Sequence, residues 1–195
     1  MKTELILEII QERWSPYALS AVPIEEFKLK AMFEAARFAP SGNNEQPWIF
    51  VYTTRENIPV FNSFIEFMND SNRIWAKEAY ALIIVMCRTR YRKTNNLNRR
   101  AVYDTGMAVM NLLLQALAFD IYVHQAGGYS DEKVKEYFKL DDSIEPLTIM
   151  AAGYLGNGES LPPEILRQDE ERRPRRQVNE YTFRDSLWNQ AFVTG

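Results

Sequence analysis

Ala39-Pro40-Ser41-Gly42-Asn43-Asn44-Glu45-Gln46-Pro47-Trp48 runs straight into Ile49-Phe50-Val51-Tyr52. The first part is turn-forming: Pro fixes φ, Gly frees it, and Asn and Ser bond their own backbone. The second part is β-rich, with branched and aromatic residues in succession. An apolar stripe at helical spacing, Leu29, Met32, Phe33 and Ala36, comes before it. Helix, polar loop and strand therefore follow one another. The loop carries the Ser41 hydroxyl and the side-chain amides of Asn43, Asn44 and Gln46. An amide both donates and accepts, which suits a planar ligand whose edge alternates donors and acceptors. Taken singly, any one of these residues reads better as part of a polar surface turn.

Working outward, Leu5 with Ile9 and Ile6 with Ile10 predict a helix over 3–13. The stripe before the loop belongs to a helix over about 24–38. Pro23 opens it, and Glu25 and Glu26 lie in its first turn, where the helix dipole favours anions. A further helix fills 57–69 after Thr54 or Glu56. Residues 104–119 are apolar nearly all round and predict a central, buried helix. Ser130 is a good N-cap for a helix over 131–138. Strands are expected at 48–52, 79–87 and 147–154. The last two are near-continuous apolar runs, as strands covered on both faces require. This order predicts an α+β sandwich, a central sheet flanked by helices. No repeat, low-complexity tract or linker divides the chain, so 1–195 reads as one domain.

The 195 residues suffice for a sizeable core, and 46% hydrophobic with 25% charged residues is ordinary for a globular protein. A formal charge of -3, from 23 basic and 26 acidic residues, gives no global attraction to nucleic acid. Cys87 is the only cysteine, so no internal disulfide is expected, and one Cys with one His excludes a His/Cys-built metal site. Met1-Lys2-Thr3-Glu4-Leu5 has a Glu within its apolar pattern and no cleavage signature, so no signal peptide is read. The longest apolar stretch, 106–119, is broken by Asn111 and Gln115 and is shorter than the roughly 20 residues of a membrane span. The expectation is a cytoplasmic protein with no membrane partner, in which the Asn69-Asp70-Ser71 sequon has no chemical consequence.

Arginines concentrate in two places. Arg13-Trp14-Ser15-Pro16 follows the first helix, and Arg172-Arg173-Pro174-Arg175-Arg176 lies near the other end. Arg173 and Arg175 are two apart and point the same way on an extended segment. Guanidinium forks match phosphate geometry, so an early Arg and a late pair converging on one phosphate make a reasonable site. Alone, an Arg-rich run behind Asp169-Glu170-Glu171 is usually a solvated surface segment. Asn111 and Gln115, four apart on one helix face, are expected to tie down neighbouring backbone rather than touch a ligand. His124 reads better as a histidine bonded to backbone than as a proton donor. Gly153-x-x-Gly156-x-Gly158 has the wrong spacing for a dinucleotide fingerprint. The run 88–100 interleaves basic and aromatic residues. It is expected to form a mobile basic loop that attracts an anionic substrate, with nucleic-acid binding as the rival reading.

These segments, in this order, resemble the nitroreductase family in the form that carries Asn-Glu-Gln-Pro-Trp. Asn72-Arg73-Ile74-Trp75-Ala76-Lys77, Tyr103-Asp104-Thr105-Gly106 and Asn111-Leu112-Leu113-Leu114 carry further parts of the likeness, as do His124-Gln125-Ala126-Gly127-Gly128-Tyr129 and Gly153-Tyr154. The resemblance implies a nitroreductase-like α/β sandwich with a mostly antiparallel sheet. It implies a homodimer with FMN at its interface and hydride transfer from NAD(P)H to an electron-poor small acceptor, a nitroaromatic, quinone or similar, in ping-pong fashion. No side chain is expected to be catalytic, because the flavin carries the chemistry. Arg13, Trp14 and Ser15 would take the phosphate and ribityl chain. Ser41, Asn44 and Gln46 would edge the ring, and Gln125, Ala126, Gly127 and Gly128 would form the loop passing it. Arg173 and Arg175, with Glu180, would close on the phosphate. The segment 181–195, with Trp188 and Phe192, would embrace the partner. Two departures stand out. The family often has a basic residue where this chain has Tyr17, and its closing Arg-basic-Pro-Leu is here Arg175-Arg176-Gln177-Val178. The rival within the same fold is a non-catalytic flavin-binding protein.

Overall fold

The computed structural model describes residues 5–171 and 173–192. Residues 3 and 4 of the expected first helix, Arg172, and 193–195 of the expected arm lie outside them. The elements in order are α1 (Glu8–Glu12), α2 (Glu26–Arg37), β1 (Trp48–Thr54), α3 (Ile58–Phe67), α4 (Asp70–Ala76), β2 (Ala81–Arg88) and α5 (Ala101–Leu117). Then follow β3 (Tyr122–Ala126), α6 (Asp131–Phe138), β4 (Ile144–Gly153) and α7 (Pro163–Glu170).

The four strands form one sheet in the order β1-β2-β4-β3, antiparallel throughout. Side chains alternate along β2, and both sets are buried. Ile83 and Val85 pack on one face with Met32 and Ala36 of α2 and Ala108 and Leu112 of α5. Leu82, Ile84 and Met86 pack on the other with Phe61 and Phe64 of α3, Trp75 of α4 and Val134 of α6. This double covering is why β2 and β4 read as continuous apolar runs. Each such side chain contributes roughly 1.5–3 kcal/mol by leaving water. Cys87 sits in β2 with 0% exposure.

The helices start where their caps allow. The side chains of Asn57, Asn69 and Ser130 accept the backbone N–H groups of Val60, Asn72 and Lys133. The expected α6 is found with its Ser130 cap. The expected α1 is shorter, Glu8–Glu12, because no residue in it is buried to stabilise more turns. Three elements escaped the sequence reading. β3 is five residues with a His and a Gln in its middle. α4 carries only Ile74, Trp75 and Ala76 as apolar content. α7 buries no residue at all. His124 to Ala126, expected as loop, are therefore strand.

α5 is the central helix, yet it is covered on one side only. Asp104, Thr105, Ala108, Leu112 and Ala116 are buried, while Val102 and Tyr103 are exposed. Its outer face and that of α2 form an open groove of about 680 Å³ lined by Phe27, Ala31, Phe38, Leu114 and Ala118. Asn111 bonds the Ala35 carbonyl at 3.3 Å, tying α5 to α2. The glycines at the end of β4 have a packing role. A Cβ on Gly153 would lie 2.6 Å from the Ser20 carbonyl, and one on Gly156 would lie 2.6 Å from that of Leu19. Their bareness lets the chain at Leu19 come close enough to pair with Leu155 just beyond the end of β4.

Candidate functional site

The amide loop enters β1 through a 3₁₀ turn, Gly42–Asn44. Asn43, Asn44 and Gln46 all have positive φ, at 56°, 55° and 51°. Asn tolerates this left-handed region, but Gln is held there at a cost of order 1 kcal/mol. Internal bonds hold the geometry. Gln46 N–H donates to Ser41 Oγ at 3.0 Å, and the Gln46 amide donates to Asn44 Oδ1 at 3.1 Å. Gly42 N–H donates to the buried Asp104 carboxylate at 3.0 Å. Strain concentrated in so few residues, and braced from α5, is characteristic of a site that must present groups in fixed directions.

The second half of the site lies beyond the other edge of the sheet. The chain after α1 runs beside β3, with Trp14 edge-on to Tyr122 and the Pro16 carbonyl at 3.0 Å from His124 Nδ1. There Trp14, Ser15, Tyr17, His124, Arg173 and Arg175 line a cleft of about 630 Å³. Arg13 Nη1 donates to Ser15 Oγ at 3.4 Å. Burial, and then the neighbouring Arg175 guanidinium, hold Arg13 below its ordinary value. Among the described residues, Arg13, Arg173 and Arg175 form no ion pair with a carboxylate. Glu164 and Glu171 line the same cleft without reaching them. Arg13, part-buried, and the exposed Arg175 beside it therefore place like charge together, which an anion would offset.

The expected site residues thus fall into separate groups. Arg13, Trp14, Ser15, Arg173 and Arg175 come together. Ser41, Asn44 and Gln46 precede β1, at the opposite sheet edge from β3. Three strand spacings, roughly 14 Å, separate the two edges. Alternation along β3 sends His124 toward the cleft, whereas Gln125 lines a smaller pocket of about 320 Å³ with Thr105, Val109, Leu113 and Leu147. Ala126 is buried at 2% exposure. Gly127 and Gly128 do not adopt a positive φ. Gly128 instead admits a close approach by side-chain amides. Asn72 Nδ2 donates to its carbonyl at 3.0 Å, and any Cβ there would collide with the amide of Asn69.

Tyr17 is a packing residue. Its ring lies 4.5 Å from His124 and 5.6 Å from Trp75 between centroids. The Asp169 carboxylate accepts its backbone N–H at 3.0 Å, and that of Ala18 at 3.0 Å. Sequence reasoning missed α7, and with it Asp169 and Arg167, a further cation lining the cleft. The available signal was the spacing of Glu164, Arg167, Gln168 and Glu171 along one helix face.

His124 is bonded to backbone, as its sequence reading favoured. A carbonyl only accepts, so Nδ1 carries the proton toward Pro16. Burial pushes the imidazole below its ordinary value of 6.5, against the opposing Pro16 bond and the nearby Asp169 charge. The unfolded chain therefore takes up this proton more readily than the folded one. The resulting stability is complete above about pH 6.5 and declines as pH falls through the lower folded value. Urea midpoints should drop from pH 7 toward pH 5, and the drop should be shallower in His124→Phe, which keeps a ring in the stack. An identical slope in both proteins would refute this origin.

Residues 10–154 match the family described as the Nitroreductase family. Over 85 residues, 44% of this chain, the sequence is 26% identical to a 15.4 kDa protein of Mycolicibacterium smegmatis, and the match spans 57% of that relative. Among solved structures, an oxidoreductase containing FMN superposes with a TM-score of 0.84 at 27% identity, over 93% of this chain and 92% of the other. A nitroreductase family protein from Clostridium difficile 630 gives 0.66 at 21% identity, over 92% and 97%. A structure described as a nitroreductase in complex with FMN, from Desulfovibrio desulfuricans, gives 0.70 at 20% identity, over 93% and 96%. The last two speak for the fold alone.

Proposed function

Because this chain belongs to the nitroreductase family, we propose that it is an FMN-dependent oxidoreductase of the Asn-Glu-Gln-Pro-Trp form, passing hydride from NAD(P)H to an electron-poor small acceptor. The observation that carries the reading is the part-buried Arg13 lying beside Arg175 at the rim of the cleft, with no carboxylate ion pair to either among the described residues. A flavin phosphate supplies the missing anion, with Ser15 and Arg173 as further donors. The bound flavin supplies hydride acceptance and donation, which no side chain of the chain can supply. The residues bind and orient: the arginines fix the phosphate end, and the strained amides of Asn44 and Gln46 meet a ring edge. No second dinucleotide fold is recognisable in the sequence, so donor and acceptor share one place in turn, which is ping-pong order.

One protomer holds these two halves at opposite edges of its sheet. We therefore assign the amide loop to the site of a second copy in a homodimer. The open apolar groove on α2 and α5 supports this, as does Trp188, 94% exposed on the C-terminal segment. Light scattering should give twice the 22.8 kDa chain mass, and a flavin-loaded monomer would sink the assignment. The reading itself is tested by heat-releasing the cofactor, identifying it by chromatography, and titrating the protein anaerobically with NADH and NADPH. FMN and reductive bleaching are expected, and recovery of FAD, or no flavin after reconstitution, would overturn it. Cys87→Ser should still take up hydride. Its thiol is buried and pushed up to about 11, chiefly by that burial, so it is neither a nucleophile nor a ligand.

A further inference from the structure

We propose that the basic turn 90–100 holds the phosphates of the dinucleotide donor and selects its 2′-phosphorylated form; this rests on the protein being a flavin enzyme. The sequence suggests a mobile loop, but the structure has a built hairpin. Arg90 pairs with Leu97, Tyr91 N–H donates to the Asn96 carbonyl at 2.9 Å, and Asn98 N–H donates to the Thr89 carbonyl at 2.7 Å. Asn98 itself is buried at 3% exposure and roots the turn.

The hairpin is stapled to the amide loop. Arg92 N–H donates to Glu45 Oε1 at 2.7 Å, and Arg92 Nη2 donates to the Gln46 carbonyl at 3.4 Å. Its cations therefore stand beside the residues that would edge the flavin. Arg90, Arg92, Lys93, Arg99 and Arg100 are all exposed, and no acidic residue interrupts 88–100. Among the described residues none of the five is in an ion pair with a carboxylate. This cluster sits on a chain whose net charge is -3, so its field is local and opposite in sign to the whole. The nicotinamide ring carries no anionic group for such cations to pair with. The pyrophosphate and, above all, a 2′-phosphate do, the latter bearing close to two negative charges near neutral pH, as phosphomonoesters do. Guanidinium forks bind such oxygens in bidentate fashion.

The test is calorimetric titration of the purified, flavin-loaded protein with 2′,5′-ADP and with ADP. Stopped-flow reduction by NADPH and NADH runs alongside. We expect 2′,5′-ADP to bind roughly tenfold more tightly than ADP, with a preference that shrinks as salt rises. Arg99→Ala combined with Arg100→Ala should remove that preference and raise the NADPH concentration needed for half-maximal reduction about tenfold. FMN content should stay nearly unchanged, and the NADH concentration needed should rise by much less than that of NADPH. Arg99→Lys with Arg100→Lys should restore most of the preference, which separates lost charge from lost folding. Equal binding of the two nucleotides overturns the proposal. So does a preference that survives the double Ala variant, or a turn that binds single-stranded oligonucleotides but not 2′,5′-ADP. Protein that cannot hold FMN yet still prefers 2′,5′-ADP in a turn-dependent way would refute the flavin reading and leave the phosphate site standing.

Discussion

Protein carrying Arg13→Ala and Arg175→Ala together should come off the column colourless. Each guanidinium removed takes away a charged hydrogen bond worth about 1.5–3 kcal/mol, or ten- to hundredfold in affinity. The two losses should fall short of additive, because both guanidinium groups would act on the same phosphate. The double variant should still bind FMN at least about a hundredfold more weakly than the parent, by fluorescence quenching on reconstitution. Arg88→Ala provides the contrast. That guanidinium donates to Ser143 Oγ at 3.3 Å at the end of β2, outside the cleft, and its loss should leave affinity within about threefold. A double variant that binds like wild type would remove the phosphate assignment.

Trp75→Ala should destabilise the fold severely. The indole is 1% exposed and lies 4.2 Å from the His124 ring and 5.6 Å from Tyr17 between centroids. Its Nε1–H donates to Asn72 Oδ1 at 3.2 Å, while Asn72 holds the Gly128 carbonyl. Removal opens a cavity, strands an acceptor and loosens the rings behind the arginine cleft, a loss of about 3–5 kcal/mol. A domain of this kind has a total stability on the order of 5–15 kcal/mol, so urea unfolding should show a large leftward shift, with FMN affinity falling too. Trp188→Ala, at a residue 94% exposed in the protomer, should leave protomer stability unchanged. If Trp75→Ala unfolds within about 1 kcal/mol of the parent, the ring stack does not support the cleft.

What could be read in advance follows burial. β2 and β4 announce themselves because both of their faces are covered. α2 does so because its inner face repeats at helical spacing, and α5 because it is apolar nearly all round, although only one of its sides proves to be covered. β3 and α7 do not, since one is a short edge strand bearing His124 and Gln125 and the other buries nothing. The candidate site divides the same way. Residue type made Arg13, Arg173 and Arg175 candidates for phosphate, but only the family resemblance weighted them above a solvated surface segment. No local pattern could tell that Gln125 faces away from the cleft, as that depends on where β3 begins. Nor could one tell that Asp169 would grip the backbone at Tyr17 and Ala18, across 152 and 151 residues. The separation of the amide loop from the arginines is a property of sheet order, which adjacent residues do not encode.

The complete burial of Cys87 bears on how such a protein would age. Flavins in the presence of oxygen produce peroxide, and peroxide attacks sulfur that is ionised or exposed. The one thiol in the chain is neither, since it lies inside β2 and stays protonated far above neutral pH. Met32, Met68, Met86 and Met150 are likewise no more than 2% exposed. A chain read as handling electrons at one edge keeps most of its oxidisable sulfur in the core. Among the described residues, wear from its own by-products should fall first on the half-buried Met107 and Met110, long before it reaches the thiol.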